Sequence, residues 1–156
     1  MALYYEDLAI GATYTTPART ITETEIVTYA GLSGDFNPLH TDEEYCKKTS
    51  YGTRIAHGPL VLAVGLGLIS RMGLTDGTSL GFLGMDEWQV LRPVKVGDTI
   101  KVTFTITDKR MASRGSRGIF RRRFEIVNQR SEVVQHGSMT TMIAAQREPQ
   151  SSIATQ

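Results

Sequence analysis

The stretch GPLVLAVGLGLI, residues 58–69, carries no charged side chain. A membrane-spanning helix needs about 20 apolar residues, so this run is too short to cross a bilayer, and Gly65 and Gly67 interrupt it. Its apolar side chains fall nearly all round a helical wheel, which predicts a helix over 60–72 that is buried rather than amphipathic. Gly58 is expected at the N-cap and Pro59 at the first helical position, where a missing N–H costs nothing. Each interior glycine weakens a helix by about 1 kcal/mol relative to alanine. Close packing against a sheet, or room for a bound chain, is therefore expected beside them. A buried helix needs a partner that presents an apolar face.

The sequence downstream supplies one. TIKVTFTI (99–106) alternates strictly, with Ile100, Val102, Phe104 and Ile106 on one face. IFRRRFEIV (119–127) and EVVQHGSMTTMIA (132–144) follow, joined by the polar turn NQRS. LGFLGMDEWQVL (80–91) reads as a further strand, with RPVKVGD (92–98) as the loop leading out of it. ATYTTPARTI (12–21) reads as an edge or bulged strand because of Pro17. Upstream of the long helix the pattern is helical. Thr22 and Glu25 form a capping-box pattern before a helix that stops near Gly31 or Gly34, and Thr41 with Glu44 repeats it before DEEYCKK. Helices followed by about five antiparallel strands make an α+β layout.

The bulk composition narrows the class of function. The 156 residues form one expected domain over 1–145, followed by a polar, loose tail over 146–156. Seventeen Lys+Arg against 16 Asp+Glu leave a net charge of +1, so no global field argues for a nucleic-acid or membrane partner. Cys46 is the only cysteine, which rules out an internal disulfide. The N-terminal MALYYEDLAIG has early acids and no basic region, and is not read as a signal peptide. A cytoplasmic location is expected.

SGDFNPLHTD (33–42) followed by YGTRIAHGPL (51–60) resembles the MaoC-like dehydratases, the group that contains the (R)-specific enoyl-CoA hydratases. The family hallmark, Asp-x-Asn-Pro-x-His and then Ile-Ala-His-Gly at the head of a long helix, falls on Asp35, Asn37, Pro38 and His40, then Ile55, Ala56, His57 and Gly58. LRPVKVGDTI (91–100) resembles the segment that follows, so the likeness runs over roughly 20–143. It implies a hot dog fold, a long helix wrapped by a curved antiparallel sheet, usually as a homodimer. It also implies a hydro-lyase acting on an acyl-CoA thioester to give a (3R)-hydroxyacyl product, with no cofactor beyond the CoA of the substrate.

Hydration of a 2-enoyl thioester sets two tasks. Water must lose a proton while the α-carbon gains one, and charge building on the thioester oxygen must be stabilised. Asp35 and His40 suit the first, since an imidazole both takes and gives protons near neutrality. Asn37 and Pro38 stiffen the turn between them, because proline fixes its own φ and restricts the residue before it. The backbone N–H of Gly58, at the head of the helix, suits the second task. Asn37 and His57 are the substrate-binding candidates, although Asn37 also suits a bond within its own turn and His57 a capping or packing role. The sequence departs from its relatives in two places. Pro59 stands where many members have methionine, and a serine that orients the aspartate in some hydratases has no counterpart before Ser70.

Other features have plainer readings. Tyr51 and Phe36 read as pocket cover or core. Lys109, Arg110, Arg114, Arg117, Arg121, Arg122 and Arg123 form a basic cluster from which one or two arginines suit a nucleotide phosphate, the rest being a solvated face. ASRGSRG (112–118) reads as a loop. His40, His57 and His136 have no metal-ligand spacing, so no metal site is expected. Two rivals share the fold: an acyl-CoA thioesterase, disfavoured because 59–73 holds no carboxylate, and a non-catalytic acyl-thioester binder, disfavoured by the intact acid and histidine.

Overall fold

A computed structural model describes residues 2–113 and 116–146. Arg114 and the tail over 147–156 lie outside them. The segment around Pro17 is split into β1 (Thr13–Thr15) and β2 (Arg19–Thr20), because proline cannot donate to a ladder. α1 (Glu23–Ser33) begins as expected, with the Glu25 carboxylate accepting from the Thr22 N–H at 2.7 Å. It ends at Gly34, whose φ of 75° is the left-handed cap conformation that glycine adopts without strain.

The next segment corrects two expectations. The Asn37-Pro38 turn continues as a one-turn helix, α2 (Pro38–Thr41), so His40 is carried on a helix. Thr41 therefore ends one helix instead of capping the next. The Asp42 carboxylate does that, accepting from the Tyr45 N–H at 2.9 Å at the head of α3 (Glu43–Cys46).

The long helix α4 spans Gly58–Ser70, one residue out of the expected register, with His57 at the N-cap. It is not buried all round. Leu60, Val61, Val64, Gly65, Leu68 and Ile69 form the buried stripe, while Pro59, Ala63, Gly67 and Ser70 are exposed. The two glycines divide between the alternatives. A Cβ on Gly65 would stand 2.8 Å from Ile126 Cδ1 and 3.3 Å from Val102 Cγ2, so close helix–sheet packing requires glycine there. A Cβ on Gly67 would meet nothing within 4 Å.

Four long strands complete the chain: β3 (Ser79–Val90), β4 (Thr99–Met111), β5 (Arg117–Val127) and β6 (Val133–Ala144). Arg117 and Gly118, expected in a loop, already belong to β5. The antiparallel sheet has six strands, in the order β1-β4-β5-β6-β3 with β2 also on β4. Its inner face packs Val102, Phe104, Phe120, Phe124, Ile126 and Met139 into the same core as α4. β3 forms one sheet edge, and a bulge between Asp86 and Gln89, with Glu87 at φ 55°, bends it beside the head of α4.

Candidate active site

Asp35 follows the glycine cap of α1 directly, so it leaves that helix in the turn that enters α2. The turn orients its carboxylate: Asp35 Oδ1 accepts from the Asn37 N–H at 3.2 Å, and the Asp35 N–H donates to Ser33 Oγ at 3.2 Å. Asn37 spends its own side-chain oxygen on the Leu39 N–H at 3.0 Å, capping α2. Ser70, at the far end of α4, takes no part here. Local backbone bonding orients Asp35 in place of a helix serine.

His40 and His57 are held by main-chain carbonyls. His40 Nδ1 lies 2.8 Å from the Ile55 oxygen and His57 Nε2 lies 3.0 Å from the Asp35 oxygen. A carbonyl only accepts, so both of these nitrogens carry hydrogen. That leaves His40 Nε2 as the free nitrogen, 3.9 Å from Asp35 Oδ2. The rings of His40 and His57 stack with centroids 3.6 Å apart, and Tyr29 covers His57 from a centroid distance of 4.9 Å. His57 is fully buried, with Nδ1 unpartnered. It therefore braces the turn and the face of the catalytic candidate.

Ligand-type atoms of Asp35, His40 and His57 lie within 4.8 Å of one another, so His57 joins the pair that the sequence suggests. One nitrogen of each ring donates to a carbonyl, which leaves His40 Nε2 and His57 Nδ1 as the two nitrogens not bonded to the main chain.

The third component is the head of α4. Gly58, His40 and Tyr51 line a common cavity of about 220 Å³, together with Val61, Val90 and Gln135. Gly58 and Pro59 open the helix, so the Gly58 N–H has no intrahelical acceptor. Gln135 holds the next peptide, between Gly58 and Pro59, from behind. Its Nε2 donates to the Gly58 oxygen at 2.8 Å while its Oε1 accepts from Trp88 Nε1 at 3.0 Å. Sequence reasoning passed over Gln135, although a polar residue at a strand position shared with buried Met139 and Ile143 is an available signal. Phe36, by contrast, is largely exposed.

A family model described as MaoC like domain matches residues 7–123, over the acid, the histidine and the glycine alike. The chain belongs to this family. The MaoC-like chain is 38% identical over 105 residues to the (R)-specific enoyl-CoA hydratase of Rhodospirillum rubrum, covering 67% of the chain and 69% of that protein. It is 35% identical over 106 residues to the protein MaoC of Klebsiella aerogenes, covering 68% of the chain but only 31% of that longer protein. Among solved structures, a protein of Archaeoglobus fulgidus described as a monoamine oxidase regulatory protein superposes with a TM-score of 0.87 at 36% identity, over 94% of this chain and 97% of that one. Rv0216 of Mycobacterium tuberculosis, described as a double hot dog fold, superposes with a TM-score of 0.83 at 20% identity, over 95% of this chain and 46% of that one. The MaoC-like chain has the hot dog fold.

Proposed function

We propose that the chain is a hydro-lyase that adds water reversibly to a 2-enoyl-CoA thioester, giving a (3R)-hydroxyacyl-CoA. The observation that carries this reading is the 3.9 Å gap between Asp35 Oδ2 and His40 Nε2, which suits one water bonded to both, beside a helix head with a free N–H. Family membership and the name of the Rhodospirillum relative support the same chemistry.

In this mechanism the thioester oxygen accepts from the Gly58 N–H, which draws electrons from the C2=C3 bond. The water oxygen bonds to C3, and His40 Nε2 takes one water proton, while the other O–H stays intact as the 3-hydroxyl and donates a hydrogen bond to the Asp35 carboxylate, which orients the molecule. The electron pair of the double bond passes to C2 and the carbonyl. The proton held on His40 is then delivered to C2, so one water is added and both residues return to their starting state. Asn37 and His57 hold the geometry, and CoA arrives as part of the substrate.

The test is the loss of conjugated enoyl absorbance when the protein meets a short 2-enoyl-CoA, with free thiol assayed in parallel. Absorbance loss without thiol is the expected result. Asp35→Asn and His40→Gln, shown to be folded by circular dichroism, should each lower kcat/KM by about 10²–10⁴-fold, the range for removing a general acid or base. Thiol release would mark a thioesterase. Saturable CoA-ester binding with no turnover across a chain-length series would mark a binding protein.

A further inference from the structure

A second cavity, of about 420 Å³, lies at the other end of α4 from His40. Leu66 and Ile69 of the helix, Phe104 and Ile106 of β4, Phe120 of β5 and Met139 of β6 give it an apolar wall. Set into that wall is Arg122. Gly118, Phe120, Phe124 and Ile126 share its side of β5 and are buried, so of the consecutive arginines 121–123 it is the one directed at the core. Arg121 turns the other way and reaches Asp86 and Glu87 at 3.5 and 3.7 Å.

The Arg122 guanidinium lies 5.3 Å from the ring centres of both Phe104 and Phe120. Its Nε is buried without a hydrogen-bond partner. Among the described residues no ion pair includes it, not even with Asp76, which also lines the cavity. Burial lowers its pKa to about 10, which leaves it charged at neutral pH. Arg122 as a whole is part-buried, and a partly desolvated charge without a partner opposes folding, where an apolar side chain of similar size would fill the place at lower cost. Two aromatic faces offset only part of that penalty. A hydrocarbon-lined cavity with one uncompensated cation fits a ligand of complementary build.

We propose that this cavity is a recognition site for an aliphatic carboxylate, with the hydrocarbon on the apolar wall and the carboxylate paired to Arg122. A guanidinium presents two parallel donors to a carboxylate, and this geometry selects it over an uncharged head group. The carboxylate has two possible sources: the far end of an acyl chain carried by the substrate, or a free acid that binds separately. The titration below does not rest on the hydratase reading.

Octanoate and octanol titrated calorimetrically into the full chain form the first arm, repeated with Arg122→Met and Arg122→Lys. Saturable octanoate binding, at least tenfold tighter than octanol, is expected. Arg122→Met should lose that preference with an unchanged or raised melting temperature, and Arg122→Lys should keep part of it. Equal affinity for the two probes, octanoate binding by Arg122→Met as tight as wild type, or a lowered melting temperature with binding intact would overturn the proposal. The second arm compares kcat/KM for enoyl-CoA esters with and without a terminal carboxylate. A tenfold ratio in favour of the carboxylated ester that collapses in Arg122→Met assigns the carboxylate to the substrate. The same ratio in both proteins, alongside Arg122-dependent octanoate binding, assigns it to a separate ligand. Failure of both arms discards the site, whereas inactivity on every ester discards only the hydratase reading.

Discussion

Gly65 and Gly67 are two residues apart on one helix, and their surroundings set opposite requirements. A methyl group at Gly65 would overlap the reach of Ile126 and Val102, and forced overpacking of a core costs about 1–3 kcal/mol. At Gly67 the added methyl meets only open space, so the helix gains up to about 1 kcal/mol in propensity. Urea denaturation should therefore show Gly65→Ala destabilised and Gly67→Ala unchanged or stabilised. Equal effects would mean that α4 does not rest on the sheet through Gly65. The same contrast separates the arginines. Arg121 and Arg122 are chemically identical neighbours, yet strand alternation sends one to a surface ion pair and the other to a cavity wall.

At the scale of elements, the catalytic candidates stand on three short pieces of chain that need tying together. The Ile55 N–H donates to the Leu39 oxygen at 3.0 Å, and the Ala56 N–H to the Val94 oxygen at 2.7 Å, which clips α2 and the loop after β3 to the entry of α4. On the outer side Glu43 performs a similar task. Its carboxylate accepts from the Thr53 hydroxyl and the Arg54 N–H, and it pairs with the Arg54 guanidinium, which also reaches Glu23 on α1. The Thr53 bond first, then those from Arg54, hold the Glu43 pKa below the ordinary 4.5. A depressed carboxylate pKa contributes stability that is present above its unfolded value and is lost as pH falls through its folded value. The melting temperature should therefore drop as pH is lowered from about 4.5, and Glu43→Gln should show a shallower drop. Identical acid profiles would show that this tie contributes nothing.

The whole molecule has an open side. β3 is a sheet edge of 12 residues with its ladder groups free along one margin, and Leu80, Phe82, Leu83, Trp88 and Val90 on it are exposed. Long apolar edges left uncovered invite pairing with another chain. We propose that a second copy covers it, edge to edge, as a homodimer whose interface lies next to Gly58 and Gln135. Sedimentation velocity should show a dimer, and Leu83→Lys, which places a charge on that edge, should shift it toward monomer. A wild-type monomer at micromolar concentration would remove the proposal. Among the described residues no helix is long and apolar enough to cross a membrane.

How far the sequence could be read depended on whether the signal was local. Alternation in 99–106, the strand at 119–127, the capping pattern at Thr22, the break at Pro17 and a glycine stop at Gly31 or Gly34 are written in neighbouring residues, and the structure has each, with the stop at Gly34. The Asn37-Pro38 start of α2 is equally local, since asparagine caps and proline favours a first turn, but the same residues also suit an isolated turn. Sequence spacing brought Asp35 and His40 into one reading, but it carried neither the stacking of His57 on His40 nor the bond from Gln135 to Gly58. Those contacts span 17 and 77 positions. They exist because the 35–40 turn folds back over the head of α4 and because β6 lies beneath that head. The exposed stripe of α4 and the inward charge of Arg122 were likewise decided by packing. A helix has only as many buried faces as the sheet can cover, and a strand side chain points wherever its register sends it.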